Sequence, residues 1–169
     1  LAYVDISTGQ FAATELGRDE LPLELERIAA AEVLVAESDG RPEWAPEATG
    51  AGFELTEVEA RSFQPAPARQ ALLDHYGILT LESFGCEGMD LAVGAAGAIV
   101  AYLSRTQMAA KLQLANLSVY FAGNYMALDP QTRRNLELFA AGRDENRELS
   151  LLTALDRTKT PMGGRLLRQ

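Results

Sequence analysis

Three carboxylates stand where predicted elements begin or end, and such groups could together hold metal ions. Asp5 lies in the first predicted strand, Glu37 follows a short buried strand, and Asp90 opens a long helix. A two-metal site for phosphodiester hydrolysis needs several carboxylates that converge on ions about 3.5–4 Å apart. These residues raise the hypothesis of a metal-dependent nuclease that uses Asp5. The alternative is that Asp5 only shapes the turn over residues 5–9 by accepting hydrogen bonds from backbone N–H groups.

The distribution of charge favours the turn interpretation of Asp5. Residues 1–128 hold 7 Lys and Arg against 18 Asp and Glu, a net charge of −11. Residues 129–169 hold 8 against 6, a net charge of +2. A strongly acidic surface repels a phosphate backbone, since nucleic-acid surfaces need clustered positive charge. The change of sign near Asp129 also predicts a domain boundary there.

The sequence lacks the residues and motifs of other common catalytic and cofactor-binding sites. One histidine, His75, and one cysteine, Cys86, cannot form a zinc site, and a single cysteine forms no internal disulfide. The chain contains neither a GxxxxGK[ST] loop nor a GxGxxG or GxSxG motif. Gly94 and Gly97 lie in a helical pattern and are predicted to allow close packing. We therefore predict no catalytic residue, no metal ligand and no cofactor: His75 as an exposed residue at a helix end, and Cys86 as a free thiol.

The order of predicted elements indicates an α/β fold with a mixed sheet flanked by helices. Strands are predicted at residues 1–7 and 10–16, joined as a β-hairpin with Gly9 available for a positive φ in its turn. Further strands are predicted at 32–36 and 53–58, and the apolar run at 32–36 favours a central position. Helices are predicted through Leu21, Leu25 and Ile28 with Asp19 as cap, at 68–76 with Gly77 ending the helix, and at 89–107. Residues 38–52 read as a loop, residues 117–128 as an extended segment, and the tail as short helices. The apolar run 91–103 is too short for a membrane span of about 20 residues, so no membrane contact is predicted.

Both ends of the chain have the character of cut ends. The sequence opens directly in a strand pattern at Leu1, and its last helical pattern, with Leu166 and Leu167 on the apolar face, has no terminating signal. We therefore expect an excised piece of a larger protein, with a tail that packs poorly because these leucines need a cover.

Three segments, in the same order, resemble parts of one protein family. LAYVDISTGQF at residues 1–11 resembles the opening of the connector domain of MutS, the DNA mismatch recognition ATPase. ALDPQTRRNLEL at 127–138 resembles the start of the MutS core domain, and LLTALDRTKTPMGGRLLRQ at 151–169 resembles the core segment that follows. The last two segments are more specific than the first, and residues 38–52 carry none of the resemblance.

The resemblance implies a fold and a role. Residues 1–126 would form a connector domain with an RNase H-like fold and no nuclease activity, and residues 127–169 would begin the helical core domain, truncated. In the family this connector links the mismatch-binding domain to the core, transmits the nucleotide state and offers a docking surface for MutL. ATP and Mg²⁺, and mismatched DNA through a Phe-x-Glu motif, would bind outside these residues. A cytoplasmic location and a homodimeric full-length protein are also implied.

The same resemblance suggests two groups of contact residues. The MutL-docking patch would be on the helix that carries Arg69, Gln70, Ala71 and Leu72. Family members can have a second polar residue where this chain has Ala71, and the alternative is an amphipathic surface helix with Leu72 and Leu73 inward. At the connector–core junction, Arg133 and Arg134 are expected to pair with acids, and Asp129 to cap a helix. Two further alternatives remain open: the Asp5 nuclease, and a MutS paralogue that acts outside mismatch repair.

Overall fold

The computed structural model describes residues 1–38, 52–106, 114–121, 132, 135–140, 142 and 146–167. The chain divides into two compact units, Leu1–Tyr125 and Met126–Gln169. The junction residues Asp129, Arg133 and Arg134, and nearly all of the loop at 38–52, lie outside the described residues. No described helix is long and apolar enough to cross a membrane.

The first unit begins with the predicted hairpin. Strands β1 (Ala2–Asp5) and β2 (Gln10–Ala13) pair antiparallel, with Ala2 opposite Ala13. Gly9 takes a positive φ of 77° in the turn between them, as predicted for a glycine at this place. A two-residue strand, β5 (Ser118–Val119), pairs in parallel with β2, so that the described strands of this sheet have the order β1-β2-β5.

The remaining described strands form a separate sheet of two. Strand β3 (Glu32–Ala36) pairs in parallel with β4 (Glu54–Val58). The prediction that residues 32–36 occupy a central position is wrong for the described residues, since β3 has β4 as its only strand partner there. In keeping with this, only Val35 of β3 is buried.

Helix α1 (Leu21–Ile28) starts differently from the prediction. A single 3₁₀ turn at Arg18–Glu20 precedes it, so Asp19 is not its cap. The Glu20 carboxylate instead accepts a hydrogen bond of 2.8 Å from the Gly17 N–H, which satisfies a backbone donor at the start of the turn. Pro22 falls in the first turn of α1, where its missing N–H costs nothing.

Helices α2 (Pro65–Tyr76) and α3 (Asp90–Thr106) pack against each other. Helix α2 starts at Pro65 rather than at residue 68, because proline suits the first helical position, and it ends at Gly77 with a φ of 65°. The two helices approach closely at Gly97, where an added Cβ would lie 2.4 Å from Ala68 Cα and 2.5 Å from Ala68 Cβ. A Cβ on Gly94 would lie 2.5 Å from the Phe63 carbonyl oxygen. Both glycines are confirmed as packing residues.

The hydrophobic core joins these helices to the first sheet. It is built from one aromatic residue of β2, small and branched residues of α2 and α3, and residues of the connections: Phe11, Ala13, Ala68, Leu72, Leu81, Cys86, Ala92, Val93, Ala96, Val100 and Leu117. The mixed α/β class is thus confirmed. A single RNase H-like sheet remains a prediction, because the described strands form two sheets.

The described part of the second unit consists of short helices joined by turns and coil. A 3₁₀ turn at Arg147–Leu149 leads into α4 (Leu151–Leu155), and α5 (Pro161–Leu167) follows. The Ser150 hydroxyl caps α4 by accepting a hydrogen bond from the Thr153 N–H at 3.2 Å. Within this unit Leu166 is 65% exposed and Leu167 is 43% exposed, consistent with an apolar face that needs a cover.

Candidate functional site

The Asp5 carboxylate is engaged by its own turn. Its Oδ1 atom accepts hydrogen bonds from the Ser7 N–H at 2.8 Å, the Ser7 hydroxyl at 2.5 Å and the Thr8 N–H at 3.3 Å. Partial burial raises the pKa of Asp5, but the hydrogen bonds from Ser7 and Thr8 together lower that pKa below its ordinary value. The turn interpretation of Asp5 is therefore confirmed.

The nuclease hypothesis required Asp5 to share a site with Glu37 and Asp90. Among the residues that the structure describes, no three His, Cys, Asp or Glu side chains are placed to hold a metal ion. Glu37 follows β3, where its N–H donates to the Val58 carbonyl at 2.8 Å, and Asp90 begins α3. The N-terminal N–H groups of α3 instead bind the Glu15 carboxylate, at 2.8 Å from Leu91.

The predicted docking residues on α2 present two polar pairs. Arg69 Nη2 donates to Glu87 Oε1 at 2.5 Å, and Gln70 Nε2 donates to Asp74 Oδ1 at 2.7 Å. The hydrogen bond and the opposite charge raise the pKa of Arg69 and lower the pKa of Glu87. Both charges of the first pair are therefore matched, and Gln70 is exposed one residue further along the helix.

The other two predicted docking residues differ from these. Leu72 is fully buried in the core, so its side chain supports α2 from below and is not accessible to a partner. Ala71 is half-buried and lines a shallow groove of about 220 Å³ with residues before α2, in its first turn and in α3: Glu59, Arg61, Ser62, Pro67, Gly97 and Ala101. The accessible part of the predicted patch is thus Arg69, Gln70 and the edge at Ala71.

His75 and Cys86 are less accessible than their sequence positions suggest. The His75 ring is half-buried and packs edge-on to Tyr76, with 4.5 Å between ring centroids, which corrects the prediction of an exposed residue. Tyr76 donates its hydroxyl to the Ala115 carbonyl at 2.9 Å, and burial raises its pKa to about 12. Cys86 is a free thiol, as predicted, but it is fully buried, and this burial raises its pKa.

The sequence-based reasoning missed a charged cluster between α1 and the end of the first sheet. Glu24 is only 7% exposed and accepts three hydrogen bonds from Arg27 and one from the Tyr120 hydroxyl. The available signal was position: Glu24 stands three residues after Leu21 and four before Ile28, in the stripe that faces inward. A buried acid in such a stripe indicates a dedicated partner.

In the second unit, Asp156 is a turn residue. Its Oδ1 atom accepts hydrogen bonds from the Thr158 N–H at 2.8 Å and from the Thr158 hydroxyl at 2.7 Å. The Thr160 hydroxyl accepts the Gly163 N–H at 3.1 Å at the start of α5. These contacts shape the connection between α4 and α5.

Comparison with known proteins agrees with this architecture. The family profile of MutS domain II matches residues 1–118, and that of MutS domain III matches residues 131–169. Because the first match alone covers well over half of the chain, the chain belongs to the MutS family. Its two units correspond to adjoining parts of that family, domain II followed by domain III.

Curated relatives match over the whole chain. The DNA mismatch repair protein MutS of Symbiobacterium thermophilum is 43% identical over 99% of this chain, and that of Thermosynechococcus vestitus is 43% identical over 100%. The MutS of Dehalococcoides mccartyi is 39% identical over 100%. The aligned residues make up 20%, 21% and 19% of these relatives, so the chain spans about a fifth of their length.

Proposed function

We propose that this chain is the non-catalytic connector, with the beginning of the core, of a MutS-type mismatch recognition ATPase. It couples the ATPase and core to the mismatch-binding domain and offers a docking surface for MutL. The observation that carries the proposal is the match to MutS domain II and then domain III, together with whole-chain similarity to proteins named DNA mismatch repair protein MutS.

The geometry of the first unit supports a role without chemistry of its own. The Asp5 carboxylate is used in a turn, and the acidic balance of residues 1–128 disfavours contact with a phosphate backbone. In the proposed full-length protein, ATP with Mg²⁺ and mismatched DNA are bound by other domains. That protein is proposed to be a cytoplasmic homodimer.

The docking surface is proposed on the exposed side of α2. Arg69 and Gln70 stand there at successive positions, each held by one acidic partner, so that their geometry is set before a partner arrives. Ala71 opens onto the shallow groove beside them. A polar, partly preorganised patch of this kind suits a transient protein contact.

The docking proposal is tested by a pull-down with the MutL N-terminal region. Replacing Arg69→Glu together with Gln70→Glu should weaken binding at least tenfold, because it reverses one charge and adds another in the patch. Arg105→Glu is the matched control, since Arg105 is also exposed but lies near the end of α3. Unchanged binding of the double variant would count against the patch, and equal loss with Arg105→Glu would indicate a general charge effect.

The role in mismatch repair is tested with the full-length protein. A Phe-x-Glu motif in its mismatch-binding domain and tighter binding to a mismatched than to a paired duplex are expected. If the motif is missing and the discrimination is absent, the alternative of a MutS paralogue acting outside mismatch repair is favoured.

A further inference from the structure

The last described part of the first unit is held by very little strand pairing. Strand β5 contains two residues, paired as Ala12 with Ser118 and Ala13 with Val119. One further backbone hydrogen bond follows, from the Tyr120 N–H to the Ala13 carbonyl at 3.1 Å. A ladder this short contributes little stability, so the outgoing chain needs another anchor.

The side chain of Tyr120 supplies that anchor. Its hydroxyl donates to Glu24 Oε1 at 2.7 Å, and its ring packs edge-on to Tyr3 of β1 with centroids 5.9 Å apart. The Arg27 guanidinium lies 5.6 Å from the centroid of the same ring, within the range of a cation–π contact. Tyr120 is therefore fastened to α1 by its polar end and by its face.

The partner of Tyr120 on α1 is the Glu24 carboxylate, whose charge is stabilised by hydrogen bonds from Tyr120 and Arg27. Arg27 Nε lies 3.0 and 3.1 Å from the two Glu24 oxygens, and Arg27 Nη2 lies 2.6 Å from Oε1. Because Glu24 is 93% buried from solvent (7% exposed), loss of any donor leaves a carboxylate lone pair without water to replace it. The ion pair on α1 is thus sensitive to whether Tyr120 is in place.

We propose that Glu24, Arg27 and Tyr120 form an exit clamp, which ties the chain that leaves the first unit to α1. When the clamp is closed, residues 118–121 and the C-terminal half of α1 keep one arrangement. When Tyr120 leaves, both become mobile together. This inference rests on the proposed connector function. In the connector, α1 would be the element that responds when residues 118–121 move.

The first test uses this chain and two matched variants. Tyr120→Phe removes only the hydroxyl that reaches buried Glu24, and Tyr102→Phe removes a hydroxyl that donates to exposed Glu32 at 2.8 Å. In hydrogen exchange, Tyr120→Phe should raise the amide exchange rates of residues 118–121 and 24–28 about tenfold, and those of α3 should not change. A tenfold rise is the size of effect expected from the loss of one hydrogen bond to a charged group. Tyr102→Phe should leave both segments as they are.

Two results of that test would overturn the clamp. One is faster exchange at residues 118–121 alone, with α1 unaffected. The other is an equal rise in α3, which would indicate general loss of stability. Glu24→Gln serves as a second variant: combined with Tyr120→Phe, it should add less than the sum of the two single effects, whereas additive effects would contradict the proposed coupling.

The second test separates the clamp from the proposed function. In the full-length protein, adding a non-hydrolysable ATP analogue should change exchange at residues 118–121 and 24–28 together, and in Tyr120→Phe the change at 24–28 should disappear. If the analogue changes neither segment in the unsubstituted protein while the first test succeeds, the clamp stands and the coupling function fails. If the analogue changes α1 equally in Tyr120→Phe, the clamp does not carry the coupling.

Discussion

Gly97 of α3 lies directly against Ala68 of α2: a Cβ on Gly97 would come within 2.4 Å of Ala68 Cα and 2.5 Å of its carbonyl oxygen. Contacts at this distance involve backbone atoms, which cannot move aside as a flexible side chain can. The close approach of the two helices thus depends on a missing side chain.

Gly97→Ala should therefore destabilise the chain by about 1–3 kcal/mol, the usual cost of overpacking a well-packed interior. The sign is informative, because alanine ordinarily favours a helix over glycine by roughly 0.5–1 kcal/mol. Urea unfolding followed by circular dichroism measures the change. Gly17→Ala is the control: Gly17 has a φ of −64°, and a Cβ there meets only the Glu20 side chain, nearest at 3.3 Å. A stabilised Gly97→Ala variant would refute the packing argument.

Asp5→Ala should lower the free energy of unfolding by about 0.5–1 kcal/mol at pH 7, since an exposed turn loses its hydrogen-bond acceptor. Asp5→Asn keeps an oxygen at Oδ1 and should lose less. Because the pKa of folded Asp5 is below its ordinary value of 3.8, its stabilisation is present above pH 3.8 and is lost as the pH falls through the lowered pKa. Unfolding curves at pH 7 and below pH 3.8 should show the gap between parent and Asp5→Ala closing.

The same Asp5→Ala variant tests the nuclease alternative. With Mn²⁺ and a labelled RNA–DNA hybrid, the parent chain should show no cleavage beyond that of the variant. Hydrolysis by the parent that disappears in Asp5→Ala, with folding intact by circular dichroism, would restore the nuclease reading.

Glu24→Gln should cost about 2 kcal/mol near neutral pH, within the range for hydrogen bonds to a buried charged group. Burial raises the pKa of Glu24, but the hydrogen bonds from Arg27 and Tyr120 and the charge of Arg27 together lower it below its ordinary value of 4.5. Its stabilisation is thus present above pH 4.5 and is lost as the pH falls through the lowered pKa. Glu32→Gln is the exposed control and should cost less than about 1 kcal/mol near neutral pH.

Cys86 should resist thiol reagents in the folded chain. The thiol is fully buried and its pKa is raised by that burial, so little reactive thiolate is present at neutral pH. A chromogenic disulfide reagent should modify the native chain slowly and the urea-unfolded chain at once. Rapid stoichiometric labelling of the native chain would show that the connection before α3 opens readily.

Local patterns predicted much of the first unit, and long-range contacts limited the rest. The hairpin, Gly77 as the end of α2, and the packing glycines of α3 follow from turn chemistry and helical spacing, which act over a few residues. Among the described strands β3 lies at an edge, and this depends on which strand pairs with it, which no short pattern encodes. The burial of Glu24 was not predicted because a glutamate in a helix usually faces water, and one of its partners, Tyr120, lies far along the chain. Leu72 was placed in the docking patch because the resemblance assigned all of residues 69–72 to it. Within this helical segment some side chains are exposed, but that of Leu72 is buried.

The bare contact between α2 and α3 has a mechanical consequence. Where two helices pack through long side chains, rotamer changes let one helix shift slightly without displacing the other. At Gly97 the backbone of α3 lies directly against Ala68 of α2, so no long side chain between the two helices can absorb a displacement by changing its rotamer. A force applied to the outer face of α2 would therefore move α2 and α3 together as one rigid pair.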